Sequence, residues 1–333
     1  MIRIKFEILE ETINKVFLRQ GIEPGKSELL AKIMSESSLD GFQSHGINRV
    51  PMMVEYIRKD FIKPGNEMFQ IGGNNLYKQF DGNFGIGPIN AWNSTTEVMR
   101  IANENGLGLV ALRNNNHWQR AGTYGWKAAN EGFILICWTN TIPNLPPYGS
   151  KKNLVGNNPL VIAIPRKGGN IVLDMAMSQF SYGKIASYAR RNKELPEFGG
   201  YDENNNLTKD AQAIRKKGRH LPIGFWKGSS LSFILDIVAA ILSGGNTTRI
   251  IGEKGVDTGL SQIFIAIDPS KFGDSGFREA LITQTIEQFK SVSIKEGSDI
   301  RYPGEATLRR RKENLGKGIP LEEEIWEKVN GYL

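Results

Sequence analysis

Only three side chains in this 333-residue chain, His45, His117 and His220, titrate near neutral pH without help, so acid–base chemistry at that pH has few candidates. His45 stands in Ser44-His45-Gly46-Ile47-Asn48-Arg49, where the glycine suits a tight turn and Pro51 suits the first turn of a following helix. The free N–H groups at such a helix start attract anions. Arg49 offers a planar fork able to hold a carboxylate by two hydrogen bonds, and His45 offers a proton to a carbonyl oxygen being reduced. The same spacing equally serves a histidine and an arginine that only hold the turn.

His117 closes Asn114-Asn115-Asn116-His117, a polar loop after the apolar run Leu109 to Leu112. Loops at strand ends are common ligand sites, and asparagines are equally common in self-bonded turns. His220 beside Arg219 reads as solvated surface. Asp174 follows Ile171-Val172-Leu173 and must be paired in a core or placed at a site edge, since burying it alone costs several kcal/mol. Trp226-Lys227-Gly228-Ser229-Ser230 reads as a phosphate seat or as the capped start of a buried helix. Gly85-Ile86-Gly87-Pro88 lacks the third glycine of a dinucleotide fingerprint, and no histidine pairing suggests a metal. Cys137, in Phe133 to Trp138, reads as a small buried hydrophobe.

The elements that must position these residues follow from periodicity. Phe6, Leu9, Ile13, Val16 and Phe17 recur at helical spacing, as do Leu29, Leu30, Ile33 and Met34, so the first seventy residues form a helical layer. Short β-like runs then begin near Tyr77 and continue at 108–112, 133–139, 160–164 and 171–175, the last two joined as a hairpin, with helices at 89–105 and 121–130 between them. Residues 187–221 read as a long polar surface excursion. An apolar helix from Leu231 to Leu242, with Ser before and Gly244-Gly245 after, precedes a strand at 261–267, and helical patterning returns from about Gly276. The fold class is α/β (α+β): a helical part, 1–72 completed by 276–333, around a central domain at 73–275.

Hydrophobic residues at 40% and charged residues at 23% describe an ordinary globular protein. Charges interrupt every apolar run of the N-terminus, and Leu231 to Leu242 is too short to span a bilayer, so the expectation is a soluble cytoplasmic protein without membrane contact. The net charge of +7 is compatible with nucleic acid or with small anions. The basic runs Arg215-Lys216-Lys217 with Arg219, and Arg309 to Lys312, are short and lack interleaved aromatics, which favours solvated charge over nucleic acid.

Taken together, SHGINR at 44–49, GLVALRNNNHW at 108–118, Tyr124-Gly125-Trp126, ICWTN at 136–140, Phe180-Ser181-Tyr182-Gly183, Trp226-Lys227-Gly228-Ser229 and SQIFIAI at 261–267 resemble the malate/L-lactate dehydrogenase family, which is distinct from the Rossmann dehydrogenases. Within it the chain is most similar to reductases of a diketo sugar acid. The resemblance implies a homodimer, a central non-Rossmann nicotinamide-binding domain and NAD(P)H-dependent reduction of a small anionic keto acid. NADH is the expected donor, with NADPH not excluded. It also implies His45 as the acid, Arg49 holding the carboxylate and His117 orienting the substrate. Cofactor contacts are implied at Asn170, Ile171, Val172, Leu173, Asp174, Met175 and Ala176, at Trp226 and Lys227, and at Gly304, Glu305 and Ala306. Glu305-Ala306 departs from the histidine and glutamate expected there. Two rivals remain: a malate, lactate, ureidoglycolate or cyclic-imine oxidoreductase of the same family, and a basic nucleic-acid-binding protein without catalysis.

Overall fold

The computed structural model describes residues 1–292 and 299–333. Strand β1 (Ile2–Ile4) precedes helices α1 (Phe6–Arg19), α2 (Pro24–Leu39) and α3 (Val50–Arg58). Next come β2 (Phe69–Gly73), β3 (Tyr77–Asp81), α4 (Gly87–Asn105), β4 (Leu107–Asn116), α5 (Gly122–Asn130), β5 (Ile134–Thr139), β6 (Leu160–Ile164) and β7 (Ile171–Met175). The excursion carries α6 (Tyr182–Arg190), β8 (Gly200–Tyr201), β9 (Leu207–Thr208) and α7 (Ala211–Lys217). After α8 (Trp226–Ser243), α9 (Thr248–Lys254) and β10 (Thr258–Ile267), the chain closes with α10 (Ser275–Ser291), α11 (Glu305–Lys317), β11 (Ile319–Leu321) and α12 (Glu323–Asn330).

Among the described residues, seven strands form one mixed sheet in the order β2-β3-β4-β10-β5-β6-β7. Two-residue alternation sorts its side chains. Val110, Leu112, Cys137 and Phe264 pack under α4 and α5, whereas Ala111, Trp138 and Ile263 face Leu235 and Ala239 of α8. The expected hairpin is present, with Leu160 opposite Met175 and Ile164 opposite Ile171. Because β10 runs antiparallel to both β4 and β5, its start lies at the same end of the sheet as their last residues. The end of β7 and the start of β6 lie there too.

The helical layer has its own core. Leu9, Ile13, Val16 and Phe17 of α1 meet Leu30 and Met34 of α2 and Val50 and Val54 of α3, each burial worth roughly 2 kcal/mol. Ile319, Leu321 and Val329 complete that core, and β11 pairs antiparallel with β1. The expected division at residue 72 falls inside β2, which belongs to the sheet because Phe69 pairs with Asp81. Helix α10, expected with the helical part, lies beside the β6–β7 hairpin, where Glu279 accepts from the Lys167 N–H at 3.3 Å.

Three expectations need correction. The excursion is folded around Phe180, Ile185, Leu195, Ala211 and Ile214, because its apolar residues are spread across four short elements rather than set in one periodic run. Helix α8 begins at Trp226, so Ser229 lies inside it, accepting from the Tyr148 N–H at 3.3 Å and donating to Trp226 O at 3.1 Å. At 18 residues it is also longer than the Leu231–Leu242 run, and by length and composition it is able to cross a membrane. Third, Arg219 and Arg311 are not solvated charge: Arg219 is buried over Tyr201, and Arg311 binds Glu36 and Asp40 of the helical layer.

The two layers meet on an ion pair. Arg120, in the loop after β4, donates to Asp40 at the end of α2 at 2.5 Å, and both side chains are about 5% exposed or less. Truncating one partner of a buried pair strands the other charge. Asp40→Asn should therefore lower unfolding free energy by about 3–5 kcal/mol in urea titrations. A loss below about 1 kcal/mol would show that the seam does not depend on this pair.

Candidate active site

A cavity of about 410 Å³ opens where the helical layer meets the loop-bearing end of the sheet. His45 and Arg49 reach it from the helical layer and His117 from the end of β4; Asp257 precedes β10, and Asp174 and Ala176 come from the end of β7.

His45 ends a short 3-10 turn, and Arg49 ends a second one that runs into α3, with Pro51 in its first turn as expected. Gly46 does more than turn the chain. A Cβ there would lie 2.7 Å from Met34 O and 2.9 Å from Ser38 N, so only glycine lets this segment rest directly on α2. The Ile47 N–H then donates to Ser38 Oγ at 3.0 Å. Ser44 Oγ lies 3.1 Å from His45 Nδ1.

The asparagines before His117 are the end of β4 rather than a self-bonded loop. Asn115 donates to Gln262 at 2.8 Å, and Asn116 donates to the carbonyls of Phe84 at 2.9 Å and Gly85 at 2.8 Å. Gly87, the second glycine of the fingerprint-like stretch, opens α4 against the backbone of Asn116 and His117. His117 Nδ1 accepts from the Gln119 N–H at 3.0 Å, which makes Nε2 the protonated nitrogen of the neutral ring. The His45 and His117 rings stack with centroids 6.1 Å apart and planes 17° apart.

Charge dominates the rest. Burial, reinforced by Arg49 and Arg120, pushes His45 down to about 3, and burial with Arg49 and His45 holds His117 well below its ordinary value. Both rings are neutral at pH 7. Arg49 donates to Ser44 O at 3.2 Å and to Met52 Sδ at 3.3 Å, and no carboxylate oxygen lies within 4.0 Å of it among the described residues. Asp174 is both paired and at the site edge: it accepts from the Gly122 N–H at 3.0 Å and lies 3.6 Å from Arg120 Nε. Burial pushes its carboxyl up, with Arg120 opposing.

The remaining sequence candidates fall along one line. Pro303 O accepts from the Val172 N–H at 3.0 Å, and Gly304 has φ +97, where a Cβ would be strained and crowded, 3.1 Å from Val172 N and 3.3 Å from Trp126. Gly304, Glu305 and Ala306 thus lie beside the start of the Asn170–Ala176 stretch. Ile171, Leu173 and Met175 alternate with Val172 along β7. The Asn170 side chain is already engaged, accepting from the Arg166 N–H at 3.0 Å and donating to Asn130 at 2.7 Å. Beyond β7, Met177 O accepts from the Ile223 N–H at 2.8 Å, which brings Trp226 and Lys227 toward the same end, both exposed. Glu305 binds Lys290 through one oxygen, and the other is buried without a partner.

His220 is not at the surface. It is 3% exposed and stacks on Tyr182 at 3.7 Å, so burial pushes it down to about 4. Tyr182 lines the cavity and donates to Asn144 O at 2.5 Å. Sequence reasoning missed Arg120 and Asp257. Three residues after His117, Arg120 was within reach of attention; Asp257 carries no local signal.

The chain matches the sequence pattern of the malate/L-lactate dehydrogenase family over residues 4–330. It is 39% identical to a 2,3-diketo-L-gulonate reductase of Citrobacter koseri over 98% of this chain and 99% of that one, and 38% identical to its namesake in Klebsiella pneumoniae over the same shares. Among solved structures it resembles a sulfolactate dehydrogenase from Methanocaldococcus jannaschii (TM-score 0.91, 26% identity, 99% of this chain and 96% of that one). It also resembles a malate dehydrogenase from Pyrococcus horikoshii (TM-score 0.89, 29% identity, 99% and 94%).

The depressed histidines make stability depend on pH. Between about 6.5 and about 3 the unfolded chain binds a proton at His45 that the folded chain does not, so stability falls as pH falls through that window. His117 acts in the same direction, whereas the raised carboxyl of Asp174 acts oppositely at lower pH. His45→Asn should reduce the slope of stability between pH 6.5 and 5 by up to about 1.4 kcal/mol per pH unit, read from urea melts at pH 7, 6 and 5. Parallel slopes for parent and variant would mean that folded His45 takes up the proton.

Proposed function

The chain belongs to the malate/L-lactate dehydrogenase family, and on that premise we propose that it reduces 2,3-diketo-L-gulonate, or a close keto acid, to the hydroxy acid, here 3-keto-L-gulonate. Its relatives establish the general class, an oxidoreductase of hydroxy and keto acids. The observation that carries the proposal is the stacked His45–His117 pair beside an arginine that has no carboxylate partner among the described residues.

Arg49 binds the substrate carboxylate through its free donors. The arriving anion offsets the field of Arg49 and Arg120, which raises the proton affinity of His45 where it is needed. His45 then protonates the forming alkoxide, and His117, a donor at Nε2, holds the substrate oxygens. A reduced nicotinamide, when bound, supplies the hydride. The residues fit it: Gly304, where a Cβ would crowd Val172 at 3.1 Å, lets its segment lie directly against the start of β7, and Asp174 and Ala176 at the other end of that strand line the cavity. Lys227, exposed in the first turn of α8, is suited to a phosphate. NADH is the proposed donor. The same reading places the enzyme in the cytoplasm as a homodimer, which the exposed Phe233, Ile234 and Ile241 of α8 support as apolar surface for a second copy.

Nicotinamide absorbance followed across 2-keto acids and diketo sugar acids, with NADH and with NADPH, tests the proposal; no turnover with any of them overturns it. His45→Asn should lower kcat by about 100-fold or more and leave NADH affinity nearly unchanged, as loss of a general acid does. Near-normal turnover would remove His45 from the reaction. Arg49→Lys should chiefly raise KM for the keto acid, because an ammonium keeps the charge and loses the fork. An unchanged KM would make Arg49 a structural residue.

A further inference from the structure

The cavity holds two carboxylates in different states. Asp174 faces Arg120 and is neutralised by it. Asp257 lines the wall without an ion-pair partner: one oxygen accepts from the Ile142 N–H at 3.1 Å, no lysine or arginine nitrogen lies within 4.0 Å among the described residues, and Arg49 acts on it only from farther off. The polar groups nearest in sequence to Ile142 do not serve it, because Thr141 and Asn144 both donate to Asn157, at 3.2 and 2.8 Å. Its second oxygen has no partner of its own among the described residues, yet it is not sealed from the cavity. A carboxylate so placed requires a donor from whatever fills the space.

A cationic donor is disfavoured there, since Arg49 already bears on Asp257 across the cavity. A neutral hydroxyl meets the need without repulsion. We propose that Asp257 selects keto acids bearing a hydroxyl beyond the carbonyl, by accepting that hydroxyl's hydrogen bond while Arg49 holds the carboxylate. The inference rests on the keto acid reading above and narrows its substrate class to hydroxylated acids. The burial that pushes the Asp257 carboxyl up, against the pull of the Ile142 N–H and Arg49, is that of a group awaiting a partner.

The test compares kcat/KM for pyruvate with that for hydroxypyruvate and for 2,3-diketo-L-gulonate, in the parent, Asp257→Asn and Asp257→Ala. The parent should favour the hydroxylated acids. In each variant the ratio of kcat/KM on those acids to that on pyruvate should fall about 10-fold or more, because the hydroxyl's hydrogen bond is lost on them alone, whereas any effect through Arg49 falls on every carboxylate alike. Equal losses on all substrates would show that Asp257 merely holds the Ile142 loop, and a parent preference for pyruvate would be equally fatal; both leave keto acid reduction standing. A parent inert on every acid overturns that reading and this inference together. Should Asp257→Ala fail to fold, the isosteric Asp257→Asn and the parent's own preference decide the matter.

Discussion

A guanidinium buried to the extent of Arg120 has to be neutralised where it lies, and the three groups that do so come from two distant parts of the chain. Asp40 ends α2, Asp174 belongs to the sheet's edge strand, and the Phe42 ring lies 4.1 Å below the guanidinium carbon. Arg311 of α11 shares Asp40 and adds Glu36. This shared cluster of charges therefore sets the helical layer, the strand that carries the cavity's far wall and α11 relative to one another. The segment from Phe42 to Arg49 has little freedom left: Phe42 is held under Arg120, and Gly46 is pressed onto α2.

That constraint has an electrostatic consequence. Burial keeps the His45 imidazole neutral in the free protein, and Arg49 and Arg120 add to it. A site of this kind is primed for an anion. An anion entering the cavity would offset the part of that shift that Arg49 and Arg120 supply, so anion binding and proton uptake by His45 would be coupled. The seam that joins the layers is thus also one source of the field that bears on His45.

Sheet topology supplies the other half of the arrangement. Inserting β10 antiparallel between β4 and β5 brings the segments carrying His117, Thr141 and Asp257 to one end, although more than a hundred residues separate the first two from the last. Buried amides hold that end rigid. Asn115 bonds Gln262 across the β4–β10 pair, and Asn140 accepts from the Ser261 N–H at 2.8 Å. Polar side chains at strand ends, where a core would take leucine, satisfy backbone groups that the ladder leaves open.

The sequence by itself was enough for what depends on local pattern. Helical spacing marked α1 and α2, two short β-like runs at 160–164 and 171–175 marked the β6–β7 hairpin, and Ser44 to Arg49 with Asn114 to His117 marked two chemical segments. Their residue types are short-range information, readable without knowing what lies across the cavity. Where long-range contact decides, pattern alone misled or was silent. His220 and Arg219 look like surface charge because their neighbours in sequence are polar, yet Tyr182 and Tyr201 bury them. Ser229 looks like a cap because serine precedes an apolar run, yet the helix starts three residues earlier. Asp40, Arg120 and Asp257 carry no periodicity and no motif. Their importance comes from charges that meet only when α2, the β4 loop and the start of β10 are folded together, because an ion pair is a property of distance and burial, and neither is written along the chain.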